Sequence, residues 1–366
     1  MQTTASLPAD RFDEPPRRLP ADLDLDALAH QTNAIERKRE IETGADLPRV
    51  ALARGPGGLS LSETAAWATM PGLAKISDPG VTYRLDKAVE FLDAVMARQL
   101  ADKAAGAAVR WAGRTPRLSD GSCFREPGAK TTSWRPHAVY DLGRGGFSHL
   151  ELTDKHGAEA IERGAAVPGE IRVTDRGFAR APSLHRFRQQ SENQADCITR
   201  VGWNAFSLIG EDGADFDLIA HLGQLPADMT PHEAMVRARL GPLDPALPPR
   251  LIIQRETPEA TEAARAKPRR QASRKQKVLD PRSLAAAEFI ILGTSLPAEG
   301  YPAEEVLAVY RPRWQIELAF KRLKTLLRMD QIPTHTERAS RRWLTAHLIM
   351  ALLCDDLSQD FLDSSP

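Results

Sequence analysis

Residues 170–201 read EIRVTDRGFARAPSLHRFRQQSENQADCITRV. Ile171 and Val173 alternate with polar residues over 170–174, the signature of a strand, and Pro182 opens a helical stretch that runs to 192. Residues 196–201 then return to β-type sequence. Upstream, 117–124, 135–142 and 147–153 are three more short β-type runs, and 158–166 has a helical texture. Three strands, a helix, a strand, a helix and a strand form a definite order. It calls for an α/β fold, a mixed sheet with helices on its faces.

Toward the N-terminus the texture changes. Residues 1–45 are Pro-rich and charged with little periodicity, so a loose tail is expected, with a short helix at about 26–41. Ser60 and Glu63 form a capping-box pattern that opens a helix, and Asp78-Pro79-Gly80 opens another. Leu85, Ala88, Val89, Leu92, Val95, Met96 and Leu100 follow the i, i+3, i+4, i+7 rule of one apolar helix face. Residues 46–112 therefore read as a small helical domain. Its pattern suits a DNA reader and an ordinary helical bundle about equally.

Toward the C-terminus, 113–203 form the first part of the sheet core. Residues 204–287 read as a β-rich insertion, with a turn at Glu211-Asp212-Gly213, a Pro-rich patch at 242–249 and a strand at 251–254. A basic stretch closes the insertion. Arg265, Lys267, Arg269, Arg270, Arg274, Lys275, Lys277 and Arg282 face one acid, Asp280. Residues 288–366 complete the core with a strand at 288–293, a long helical region at 302–328 with a kink expected at Pro312, and a last helix at 339–357.

Composition bounds the function. The formal net charge is +0 over 366 residues, which argues against a chain uniformly coated in nucleic acid, while the local excess of bases suits a far half that meets a polyanion. Cys123, Cys197 and Cys354 make neither a disulfide framework nor a paired metal motif, as expected in a reducing cytosol. The N-terminus lacks the apolar core of a secretory signal, and the longest apolar run, 348–354, is far short of the ~20 residues a bilayer requires. A cytoplasmic protein with no membrane partner is expected. There is no phosphate-binding loop, HExxH zinc pair, GxSxG elbow or dinucleotide glycine signature, which removes most nucleotide and hydrolase classes.

The chemistry concentrates in 309-VYRPRWQIELAFKRLK-324. At ~100° per residue, Tyr310, Arg313, Glu317 and Lys324 fall within about 60° of one another on a helix surface. Ile316, Ala319, Phe320 and Leu323 point largely the other way, into a core. A solvated polar face would be the ordinary reading of such a stripe. These residue types suggest more, since Arg and Lys grip phosphate, Tyr bonds a phosphate oxygen or stacks on a base, and Glu holds a bridging cation. One carboxylate cannot hold two divalent ions, so others must join it. Asp120, in the first strand-like run, and Asp175, directly after the fourth, are the candidates, although Asp-Gly and Asp-Arg-Gly are also ordinary turn sequences. Asp141, Asp154 and Glu159 lie near the sheet and are read as structural. His137, His149 and His156 lack regular metal spacing.

The Y-x2-R-x3-E-x6-K stripe, the D-x-G-F sequence at Asp175 and the D-G-S at Asp120 resemble the insertion sequence 4 family of transposases from about Leu59 onward. The resemblance implies a ribonuclease H-like fold, with Asp120, Asp175 and Glu317 as catalytic metal ligands and with Tyr310, Arg313 and Lys324 on transposon-end DNA. It implies two Mg2+ ions, with Mn2+ as the alternative, roughly 4 Å apart across one phosphodiester. Water cuts the strand, and the freed 3′-hydroxyl attacks target DNA. Partners would be double-stranded DNA at the transposon ends, target DNA and a second copy of the chain in a homodimer. Two departures stand out. Ser122 occupies a place where Thr is common, and the stretch past Lys324 is shorter than in many members, so some dimer contacts supplied there are expected to be absent. The alternatives are a non-catalytic relative that binds element ends and interferes with transposition, and a stand-alone ribonuclease H-like nuclease.

Overall fold

The computed structural model describes residues 12, 14–37, 39–70, 72–104, 111–240, 250–276 and 278–363. The N-terminal helices are α1 (Leu25–Gln31), α2 (Asp46–Arg54), α3 (Leu61–Thr69), α4 (Asp78–Lys87) and α5 (Val89–Ala104). Ser60 and Glu63 close the capping box from both sides, Ser60 Oγ accepting from the Glu63 N–H at 3.2 Å and Glu63 Oε2 from the Ser60 N–H at 2.7 Å. Residues expected to lie in a loose tail are packed instead. Leu19, Ala29, Ala34, Ile35 and Ile41 are buried, and Glu40 accepts from Arg84 on α4 at 2.8 Å. The apolar residues there are too widely spaced to show a period, yet each finds the helical layer.

The sheet begins with β1 (Thr115–Gly121), β2 (Trp134–Asp141), β3 (Gly146–Asp154), β4 (Glu170–Thr174), α6 (Ala181–Gln189) and β5 (Asp196–Arg200). It continues through β6 (Leu208–Gly210), α7 (Leu218–Gln224), β7 (His232–Ala238), β8 (Arg250–Arg255), α8 (Pro258–Lys275), α9 (Pro281–Ala286) and β9 (Phe289–Thr294). The strand order is β3-β2-β1-β4-β5-β9-β8-β7-β6. Strand β1 runs antiparallel to β2 and parallel to β4, β2 and β3 are antiparallel, and β4 and β5 are parallel. That five-strand arrangement is the ribonuclease H-like core, a mixed α/β sheet. Strands β6 to β8 continue the same sheet through β9, which lies antiparallel to β5. The basic stretch falls on α8 and α9. The expected Pro-rich patch at 242–249 lies outside the described residues, as does Lys277.

Helices α10 (Ala303–Tyr310), α11 (Trp314–Thr325) and α12 (Glu337–Asp363) complete the chain. Together with α5 they cover one face of the core strands, where Leu118, Ile171, Val173 and Ile198 are fully buried among Ile316, Phe320, Leu344 and Leu348. The kink at Pro312 is a tight 3₁₀ turn over Arg311–Arg313 that separates α10 from α11, because Pro312 has no N–H to carry an α-helical bond onward. The opposite face is covered by α6 and by residues 158–166. No regular helix forms over 158–166, contrary to expectation. Arg172, fully buried on β4, donates to the carbonyls of Ile161 at 3.0 Å and Arg163 at 2.9 Å, so a guanidinium takes oxygens a helix would have used. Among the described residues no helix is long and apolar enough to cross a membrane.

Candidate active site

Asp120 stands one residue before the end of β1, paired in register with Ala138 on β2. That pairing rules out the hairpin-turn reading. Its Oδ1 accepts from the Gly121 N–H at 2.8 Å. Asp175 follows β4 directly and caps the 3₁₀ turn Arg176–Phe178, its Oδ1 accepting from the Gly177 N–H at 2.8 Å. The turn reading of Asp175 therefore holds, and it leaves the candidate role of the carboxylate open. Since β1 and β4 are neighbouring parallel strands, their C-terminal ends bring the two acids to one edge of the sheet, where α/β folds commonly place their binding crevices.

Burial pushes the Asp120 carboxyl up to about 7, the nearby charges of Asp175 and Glu159 push the same way, and the Gly121 N–H and Arg313 oppose them. A carboxyl whose ordinary value is 3.8 and which titrates near neutrality keeps, in the folded chain, a proton that the unfolded chain has lost. The metal-free protein therefore loses stability as pH rises through that window. Melting temperature measured from about pH 4 to pH 8 in chelator should fall more steeply for the parent than for Asp120→Asn. Parallel curves would show that Asp120 does not carry this proton.

Glu317 lies in the first turn of α11, which packs against β1. It is 54% exposed and its carboxylate is engaged by Arg313 one turn earlier. Arg313 is held protonated beyond its ordinary range. Burial opposes this, but the bond to Glu317 and the proximity of Tyr310 and Asp120 outweigh it. Arg313 thus pairs with Glu317 and acts electrostatically on Asp120 as well. Among the described residues no three His, Cys, Asp or Glu side chains are gathered closely enough to hold one ion jointly. The fold brings Asp120 and Asp175 together, and Glu317 joins their neighbourhood through Arg313 rather than directly.

Tyr310 is buried at the end of α10, with burial raising its phenol and Arg313, Arg200 and Asp175 in electrostatic reach. Lys324 lies two turns beyond Glu317, its Nζ 5.3 Å from the centre of the Phe124 ring just past β1. Of the other acids, Asp141 is buried, pairs with Arg117 at 3.2 Å and accepts from Gly143 and Arg144 N–H groups, and Asp154 accepts from the His156 N–H at 2.9 Å. Both end strands. Glu159 is different, because its charge acts on both Asp120 and Asp175. The sequence held no signal for this, since 158–166 has no period to assign a face. Trp203 has a packing role, donating to Ser283 at 3.2 Å beneath Arg282.

The donor set is all carboxylate oxygen, which suits a hard divalent cation. Two of these carboxylates flank a backbone position that carries no side chain. A Cβ placed at Gly177 would meet Glu159 Oε2 at 2.6 Å and Asp175 Oδ1 at 3.1 Å, so only a residue without a side chain leaves that volume between two carboxylates open.

Residues 120–353 match the family model described as "Transposase DDE domain". The chain is 36% identical over 345 residues to the putative transposase InsL for insertion sequence element IS186A of Escherichia coli (strain K12), covering 94% of this chain and 92% of that one. The transposase for insertion sequence element IS421 of Escherichia coli is 36% identical over 346 residues, with the same coverage. Among solved structures, a piggyBac transposase synaptic complex with hairpin DNA aligns at a TM-score of 0.48 with 9% identity, over 93% of this chain and 72% of that one.

Proposed function

This chain belongs to the DDE-domain transposases of insertion sequence elements, enzymes that cleave and transfer DNA strands, and on that premise we propose that Asp120, Asp175 and Glu317 are its metal-binding carboxylates. The observation that carries the assignment is the meeting of Asp120 and Asp175 at the ends of adjacent parallel strands, with α11 laid against β1 and with Arg313, the partner of Glu317, within electrostatic reach of Asp120. The family uses divalent cations. Two Mg2+ ions, or Mn2+ in their place, are the fit for an all-oxygen set that leaves positions open to substrate. Bound there, such ions supply the Lewis acidity that activates an attacking water or 3′-hydroxyl and stabilises the leaving oxygen.

The chain's own residues bind and orient. The Arg313 guanidinium is paired with Glu317. A DNA phosphate competes for the same planar fork, and as Arg313 turns to it the Glu317 carboxylate is released toward Asp120. Tyr310, buried beside Arg313, limits the directions that guanidinium can take. Lys324 adds a point charge farther along the backbone. Because strand transfer must join both element ends to one target, a homodimer on paired ends is the working assembly, with the target duplex as the third partner and the cytoplasm as the place of action.

The test is a nicking assay on duplex carrying the element's own end, with Mg2+. The parent is expected to cut 3′ strands at the element boundary, chelator to abolish cutting, and Glu317→Gln to bind the duplex without cutting it. Equal cutting by both proteins would remove Glu317 from the mechanism. Binding without cutting by the parent would favour the end-binding, interfering role.

A further inference from the structure

The loop between β3 and β4 carries an acid whose surroundings are not those of a structural residue. Glu159 makes no hydrogen bond among the described residues. Its ion pair, with Arg135, is long at 3.8 Å and partly exposed on both sides, a geometry that contributes little to stability. A structural carboxylate so close to two others would ordinarily be neutralised by a hydrogen-bonded base.

Two glycines hold open the volume its carboxylate reaches. Beside Gly177 a Cβ would come within 2.6 Å of Glu159 Oε2, and beside Gly121 within 3.2 Å of Glu159 Oε1. Each glycine follows a site aspartate closely, Gly121 after Asp120 and Gly177 two past Asp175. An independent observation points at the same place. His137 is 97% buried by its 3% exposure, its Nε2 is used by Thr153 Oγ1 at 2.9 Å, and its Nδ1 has no partner. That Nδ1 lies 3.4 Å from the Gly121 Cβ position. A buried polar nitrogen left unsatisfied is costly, and this one faces the volume that Glu159 and Gly121 border.

We propose that Glu159 is a fourth carboxylate of the metal site, sharing with Asp175 the space beside Gly177, with the unpartnered Nδ1 of His137 facing the adjoining space beside Gly121. The inference rests on the assignment of Asp175 as a metal ligand. Glu159 approaches from the sheet face covered by residues 158–166, while Glu317 approaches on α11 from the other. The Asp175-Arg176-Gly177 sequence thus has a function beyond its turn, since a side chain at Gly177 would fill the space the cation needs.

Binding of Mn2+ alone, followed by the loss of the free-ion electron paramagnetic resonance signal, tests this on the full chain without DNA. Replacing even an outer partner of a metal ligand weakens binding by roughly 10–100-fold, so Glu159→Gln is expected to weaken Mn2+ by at least about tenfold. Its metal-free melting temperature should equal or exceed the parent's, because a crowded charge has been removed. Gly177→Ala, which fills the space from the other side, should give a loss of the same order. Arg135→Gln should leave Mn2+ affinity at or above the parental value. Parental affinity in both Glu159→Gln and Gly177→Ala, with Asp175→Asn weakened, would overturn the fourth carboxylate alone. Parental affinity in Asp175→Asn would overturn the metal assignment beneath it. A loss in Arg135→Gln equal to that in Glu159→Gln would trace the effect to the loop's position, and the proposal would fail.

Discussion

Asp175→Asn is expected to lower strand cleavage at the element end about a thousandfold while leaving the fold and DNA affinity nearly unchanged. A metal-held oxygen contributes several kcal/mol of transition-state stabilisation, and each 1.36 kcal/mol is a factor of ten in rate. The fold is retained because Asp175 Oδ1 serves the structure as an acceptor for the Gly177 N–H, and an Asn side-chain oxygen accepts the same bond. Affinity should be retained because the proposed phosphate grip comes from bases such as Arg313 and Lys324, and removing an acid from their midst does not weaken it. Single-turnover cleavage and a gel-shift titration check the two halves. A variant cutting within tenfold of the parent would show that this carboxylate holds no catalytic ion.

Arg172→Met should have the largest effect on stability of any single change outside the site. Arg172 is 1% exposed, as is its partner Glu170, and its guanidinium also bonds two carbonyls of the 158–166 loop and lies 4.9 Å from the centre of the Phe187 ring. Removing one member of a buried pair strands the other, at a cost of about 3–5 kcal/mol. A drop in melting temperature on the order of 10 °C follows. Adding Glu170→Gln should recover part of it, because the stranded charge is then gone. A single variant within about 1 kcal/mol of the parent would mean that Arg117, 3.7 Å from Glu170, is sufficient to hold that acid.

The strands of the core were legible because each is a short run with period-2 patterning or a closed turn signal. The 170–201 segment showed β4, α6 and β5 within three residues of their positions. The alternation carried no signal for the burial of Arg172, because β4 is central and covered on both faces. Residues 158–166 looked helical by composition, but their backbone is held by Arg172 and by Gly164 at a φ of +69°, neither of which has a local signature. Glu159 is read from sequence only as one of three acids near the sheet, with Asp141 and Asp154, any of which could take the place of Asp120 under a shifted strand register. Strand β7 and helix α7 were absorbed into an undifferentiated insertion, since each is seven residues long, too short for a periodic signal to stand out. The helix stripe was legible in composition and less so in geometry. The 3₁₀ turn at Pro312 buries Tyr310 and leaves Glu317 more than half exposed.

Arg313 pairs with Glu317 and acts electrostatically on Asp120. On the proposed mechanism, a Glu317 carboxylate moved toward Asp120 without a cation would add repulsion where burial already raises the Asp120 carboxyl to about 7, so its release is coupled to the arrival of DNA and metal. Metal binding should accordingly be tighter in the presence of end DNA than in its absence.

The most direct measurement is anomalous scattering from Mn2+ in crystals of the chain bound to its end duplex. Ion density within about 2.2 Å of oxygens of Asp120, Asp175 and Glu317, with Arg313 turned from Glu317 onto a phosphate, is the predicted result. Density held by Asp120 and Asp175 while Glu317 remains on Arg313, or no density at this sheet edge, would contradict it.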